Sequence, residues 1–124
     1  MFGIGTDIVE INRISKSLEQ FPEKFPSKIL AQDEYQVFLG HPRQIEYLAG
    51  RFAGKEAILK AFGTGLRECS WSNISILNNI LGKPYVIITG DLLVTAKTKN
   101  VNPEKIYISL SHTKEYAVAF CIIE

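Results

Sequence analysis

Residues 43–62, RQIEYLAGRFAGKEAILKAF, decide how this chain is read. The run keeps helical periodicity from Arg43 to Phe62, and Gly63 follows at the position where a left-handed residue ends a helix. Ile45, Leu48, Phe52 and Leu59 fall on one apolar stripe. A second stripe, Ala49, Ala53, Ala57 and Ala61, flanked by Gly50 and Gly54, carries only small groups and lets the helix approach a sheet or a neighbour closely. Gly54 costs roughly 1 kcal/mol against alanine in a helix interior, so a packing or ligand reason is expected there. Glu56 interrupts the apolar stripe, with Lys60 one turn on. A surface pair in that order is worth only about 0.2–0.5 kcal/mol. With Arg51 and Lys55 also close in sequence, the competing expectation is a carboxylate ringed by cations, suited to a metal ion and a polyphosphate.

Upstream, FGIGTDIVEI at residues 2–11 reads as a strand. Alternation puts Gly3, Gly5 and Asp7 on one face and Ile4, Thr6 and Ile8 on the other. Glycines within a strand mark the close approach of another backbone or of a ligand. From this stretch alone Asp7 reads first as a solvated carboxylate or a cap of the next helix, because surface carboxylates are common, and second as part of a site. A helical pattern covers residues 11–20, and SKILAQDEYQVFLG reads as short helices ending at Gly40.

Downstream of Gly63, a loop rich in Gly, Ser and Cys leads to two strand patterns, NISIL and PYVIIT, joined through NNILGK. A short helix over residues 91–99 follows, with Gly90 or Asp91 near its N-cap. The end, KIYISLSHTKEYAVAFCII, is two period-2 runs about HTKE, an antiparallel hairpin signal. Ile106, Ile108, Leu110 and His112 share one face of it; Ser109, Ser111 and Thr113 take the other. His112 is either a hydrogen-bonded border residue or a donor to phosphate, helped by nearby hydroxyls and Lys114. Strands and helices do not alternate regularly. The predicted class is α+β, a small, largely antiparallel sheet packed with one long and several short helices.

The 124 residues are enough for one domain, 1–124, with a real core. A net charge of +1 gives no global field to steer the chain to nucleic acid or a membrane, so neither is an expected partner. Apolar runs such as YVII are too short to span a bilayer, and no basic-then-apolar leader opens the chain. A cytoplasmic location is expected. Cys69 and Cys121 lack metal-ligand spacing and read as reduced thiols. GIG lacks the third glycine of a dinucleotide fingerprint, and no phosphate loop, nucleophile elbow or zinc pattern occurs.

Three segments, GIGTDIVEINRI at 3–14, RFAGKEAILKAFGTG at 51–65 and SLSHTKEYAVA at 109–119, together carry a family likeness. In that order, and at about this length, the chain resembles the holo-[acyl-carrier-protein] synthases, small bacterial 4′-phosphopantetheinyl transferases. The resemblance implies transfer of the phosphopantetheine arm of coenzyme A to a serine of apo acyl carrier protein, with adenosine 3′,5′-bisphosphate as the other product. It implies a magnesium ion on Asp7 and Glu56, bridging to the pyrophosphate, and Lys60 at the phosphates, where it would stabilise or protonate the leaving group. His112, with Thr113 beside it, would bind coenzyme A. Arg51, Gly63, Thr64 and Gly65 would belong to the same cofactor-binding region, and Arg13 would dock the acidic carrier protein. The implied assembly is a homotrimer with sites between adjacent subunits.

The chemistry suits these residue types, because phosphoryl transfer needs positioning and charge neutralisation more than covalent catalysis. The base for the serine would be Glu56 or a metal-bound water or hydroxide that it orients. Two departures from the family pattern stand out: Gly54, where alanine is more usual, and Asn73, where aspartate often precedes the second strand. Two other readings stay open. A non-catalytic trimeric module that binds a nucleotide or coenzyme A would not need Asp7, Glu56 and Lys60 together. A metal-dependent hydrolase of nucleotide pyrophosphates would not need the basic surface of Arg13, Lys16, Lys24 and Lys28.

Overall fold

A computed structural model describes residues 2–66 and 69–124 of the protein. In chain order the elements are β1 (Gly3–Glu10), α1 (Ile11–Gln20), α2 (Lys24–Ile29), α3 (Gln32–Leu39), α4 (Gln44–Phe62), β2 (Ile74–Asn78), β3 (Pro84–Ile88), α5 (Gly90–Thr98), β4 (Ile106–His112) and β5 (Tyr116–Ile123). Each predicted element is present within a residue or two. Residues 67 and 68 of the loop predicted after α4 lie outside the described residues. The sequence predicts one small sheet, whereas two are found: β1-β5-β4, antiparallel throughout, and a separate β2-β3 hairpin. The hairpin packs beside β4 with no ladder between them among the described residues, and α5 and a single turn at Pro103–Lys105 separate β3 from β4 in the chain.

The α4 helix crosses the three-stranded sheet, and the glycines of β1 permit that crossing. A Cβ at Gly3 would stand 2.0 Å from the Ala61 carbonyl oxygen, and one at Gly5 2.0 Å from that of Ala57. The small-residue stripe of the helix therefore meets the glycine face of the strand, backbone against backbone. Ala117, Ala119, Cys121 and Ile123 of β5 complete the buried floor under α4. Gly54 has its packing reason too, since a Cβ there would stand 2.5 Å from Ile76 Cδ1 and 3.2 Å from Leu110 Cδ2. At the helix end Gly63 takes φ +79°, and its N–H donates to the Leu59 and Lys60 carbonyls. The Asn73 departure is satisfied locally, its Oδ1 accepting the Ser70 N–H at 3.1 Å.

One expectation about α4 fails. Lys55 and Arg51 do not ring Glu56. Steps of one and five residues rotate a helix position by about 100° and 140°, which carries both cations to other faces. Lys55 is fully buried and pairs with the equally buried carboxylate of Glu34 on α3. Its ammonium also donates to the carbonyls of Ile29 at 2.7 Å and Trp71 at 3.2 Å. Removing one partner of such a pair costs about 3–5 kcal/mol, because an uncompensated charge stays behind. Arg51 is buried as well. Its Nε donates to the Ile76 carbonyl at 3.1 Å, Nη2 to Asn78 Oδ1 at 3.3 Å, and the guanidinium lies 4.3 Å from the Tyr47 ring centroid.

Candidate active site

Asp7 follows the two glycines on the helix-facing side of β1, so the close crossing brings its carboxylate against α4. Lys60 reaches back from the helix, its Nζ donating to Asp7 Oδ1 and to the Thr6 carbonyl, each at 3.1 Å. The Asp7 side chain is largely enclosed, at 15% exposure, whereas that of Lys60 is open at 54%. Glu56, one turn before Lys60, is half-buried. Burial pushes its carboxyl above the ordinary carboxylate range, the negative charge of Asp7 pushes it further, and Lys60 pulls it back. Asp7, Glu56 and Lys60, which are 49 and 53 positions apart counting from Asp7, thus form one cluster.

Among the described residues no three His, Cys, Asp or Glu side chains converge. Two neighbouring carboxylates with an open side fit a hard cation such as magnesium. That ion takes one or two carboxylates and fills its remaining positions with water and substrate phosphates.

The other predicted residues lie elsewhere. His112 and Thr113, exposed at the end of β4, line a cavity of about 660 Å³ together with Arg43, Glu46 and Lys114. An adjoining cavity of about 180 Å³ is lined by His41, Arg43, Arg51, Ser111 and His112. Arg43, Arg51 and Lys114 make this a cationic recess. Gly63, Thr64 and Gly65 stand beyond the far end of α4, and the two glycines hold φ of +79° and +61°. Thr64 Oγ1 donates to the Gly65 carbonyl at 3.3 Å. The helix between Arg43 and Gly63 is about 30 Å long. Within one chain Asp7, Glu56 and Lys60 cluster toward the Gly63 end of α4, and Arg51, five residues or about 7.5 Å of rise before Glu56, lines the recess of Arg43 and His112 on another side of the helix.

The sequence pattern did not single out Arg43, because it precedes α4 with no periodic partner. Only the packing of the start of α4 beside the end of β4 reveals it. Arg13 stands exposed on α1, one residue beyond Asn12 of the large cavity.

Residues 3–121 match the 4′-phosphopantetheinyl transferase superfamily. The chain belongs to that superfamily. The holo-[acyl-carrier-protein] synthase of Alkaliphilus metalliredigens is 44% identical over 123 residues, which cover 97% of this chain and 96% of that protein. The crystal structure of the holo-[acyl-carrier-protein] synthase from Neisseria meningitidis superposes with a TM-score of 0.94 at 35% identity, covering 100% of this chain and 98% of that one. The Bacillus anthracis synthase, solved in complex with CoA (3′,5′-ADP), gives a TM-score of 0.81 at 40% identity over 99% of this chain and 96% of that one. The α+β fold expected from the sequence is the fold of these structures.

For a phosphopantetheinyl transferase the two groups divide the chemistry. The carboxylate pair with Lys60 combines negative groups for a cation with an ammonium for phosphate oxygens. The Arg43–Arg51–His112 recess offers cationic and imidazole donors, which suit phosphate without a metal.

Proposed function

We propose that this chain transfers the 4′-phosphopantetheine group of coenzyme A to a serine hydroxyl of apo acyl carrier protein, releasing adenosine 3′,5′-bisphosphate. The observation that carries the reading is the convergence of Asp7, Glu56 and Lys60 in a chain of this superfamily. The serine oxygen attacks the phosphorus next to the pantetheine arm, and the bond from that phosphorus to the bridging oxygen breaks. Glu56, or a water that it orients, accepts the serine proton. Lys60, held against Asp7 but open to solvent, faces the negative charge that builds on the departing phosphate. Asp7 and Glu56 would hold magnesium, which when bound neutralises pyrophosphate charge.

Arg43, Arg51, His112 and Thr113 bind the remaining phosphate and nucleotide part of coenzyme A, with Gly63, Thr64 and Gly65 on the metal side. In this reading the complete site lies between two copies of the chain. A homotrimer of this kind is supported by the far face of the three-stranded sheet. There Ile4, Ile8, Val118, Phe120 and Tyr107 are exposed side by side, an apolar area of the kind that marks interfaces. Arg13, with Lys16, Lys24 and Lys28 exposed nearby, provides the basic surface for an acidic carrier protein.

The reaction is assigned to the cytoplasm. No helix among the described residues is long and apolar enough to cross a membrane.

The reading is tested by following adenosine 3′,5′-bisphosphate in the presence of coenzyme A and magnesium, with and without apo carrier. Release only with the carrier is expected. Release without the carrier would make the chain a pyrophosphate hydrolase instead.

A further inference from the structure

The Lys55–Glu34 pair takes no part in the chemistry above, yet its hydrogen bonds lead to the cofactor recess. Lys55 and Arg51 lie one turn apart on the same face of α4. Glu34 Oε1 takes the Lys55 ammonium and the Ala31 N–H, leaving Oε2 to accept the N–H of Ile76 at 2.9 Å. Ile76 pairs with Val86 of β3, but its own N–H and carbonyl both point off the open edge of β2. Among the described residues no strand meets that edge. Glu34 takes the N–H, and Arg51 Nε donates to the carbonyl at 3.1 Å.

Two side chains thus do the work of a missing neighbouring strand, and they are joined through one residue of backbone. A second link from α3 runs parallel, Ser75 Oγ donating to Asp33 Oδ1 at 2.9 Å. Arg51, 7% exposed, is then fixed by Asn78 and the Tyr47 ring where it forms the wall shared with Arg43 and His112. An apolar pair of similar volume would serve stability alone as well as a buried ion pair does. It could not supply an acceptor to the Ile76 N–H.

We propose that Glu34 and Lys55 are positioning residues for coenzyme A binding: Lys55 fixes the Glu34 carboxylate, Glu34 fixes Ile76, and the Ile76 carbonyl fixes the guanidinium of Arg51. The proposal rests on the reading that Arg51 contacts coenzyme A. It is tested by steady-state kinetics on Glu34→Gln, Arg51→Ala and the combination, with the apolar double variant E34M/K55M, which removes the acceptor without leaving a buried charge, as the safeguard against misfolding.

Glu34→Gln should raise KM for coenzyme A about tenfold, as for loss of a charge-assisted contact, with kcat and the carrier KM within about twofold. Arg51→Ala should do the same, and adding Glu34→Gln to it should change little further, because both act through one contact. An Arg51→Ala variant with unchanged KM would sink the reading of Arg51 itself. A raised KM in Arg51→Ala with an unmoved KM in Glu34→Gln would overturn the positioning role. So would effects that multiply in the combination. Where only E34M/K55M folds it should show the same rise in KM, and an unmoved KM there, or failure of both variants to fold, would also overturn the proposal.

Discussion

At the scale of single residues, the half-buried Glu56 carries a cost that its role explains. Its carboxyl is held above the ordinary range by burial and by Asp7, so ionising it disfavours the folded state. Stability is therefore lost as pH rises from the ordinary carboxylate value through the raised one. Glu56→Gln should be more stable than the parent at neutral pH without divalent ions, and the gap should close below the ordinary carboxylate range. Thermal melts over a pH series check this. Magnesium should reverse the order, stabilising the parent and leaving Glu56→Gln unmoved. The same variant should lose on the order of 10²–10⁴-fold in turnover, the contribution of a general base.

Residue-level reading of the sequence went astray where neighbours in sequence were counted as neighbours in space. Lys55 adjoins Glu56 in the chain but points about 100° away around the helix. Its partner Glu34, 21 positions upstream, carries no local signal of burial.

At the scale of elements, the β1–α4 crossing positions the cluster. Gly5→Ala would drive a Cβ into the Ala57 carbonyl, where neither backbone can yield without moving Asp7 away from Lys60. A loss of at least about 3 kcal/mol is expected, seen as a lowered denaturation midpoint, together with loss of activity. Gly54→Ala should be mild by contrast, because the atom it meets first is the mobile tip of Ile76 and the helix gains about 1 kcal/mol in propensity.

The elements were legible because each carries its own periodicity. The alanine stripe and the glycine face even announced a close crossing, though not that each was made for the other. The division into two sheets was not legible. The open edge of β2 is closed by Glu34 and Arg51, and side-chain closure of an edge leaves no period-2 trace.

At the scale of the whole molecule, a single chain presents the two halves of the proposed site on different sides of α4, with Arg51 and Glu56 five residues apart on that helix. The apolar far face of the sheet supports the assembly that would join them. If each site takes Glu56 from one subunit and Arg51 with His112 from the next, two inactive variants should complement each other. Mixing Glu56→Gln with His112→Ala chains after co-refolding should restore roughly one site in four. Activity no greater than the sum of the separate variants would place all the residues of a site in one chain. Cys121, buried with its thiol pushed up to about 12, should resist a thiol reagent in the native protein and react only on unfolding, as peptide mass mapping would reveal.

The central claim is the transfer itself, and the intact mass of the carrier protein tests it most directly. Apo carrier incubated with this protein, coenzyme A and magnesium should gain one phosphopantetheine on serine. Omitting magnesium or substituting Asp7→Ala or Glu56→Ala should prevent that gain. A folded, magnesium-supplied protein that leaves the carrier mass unchanged would contradict the account.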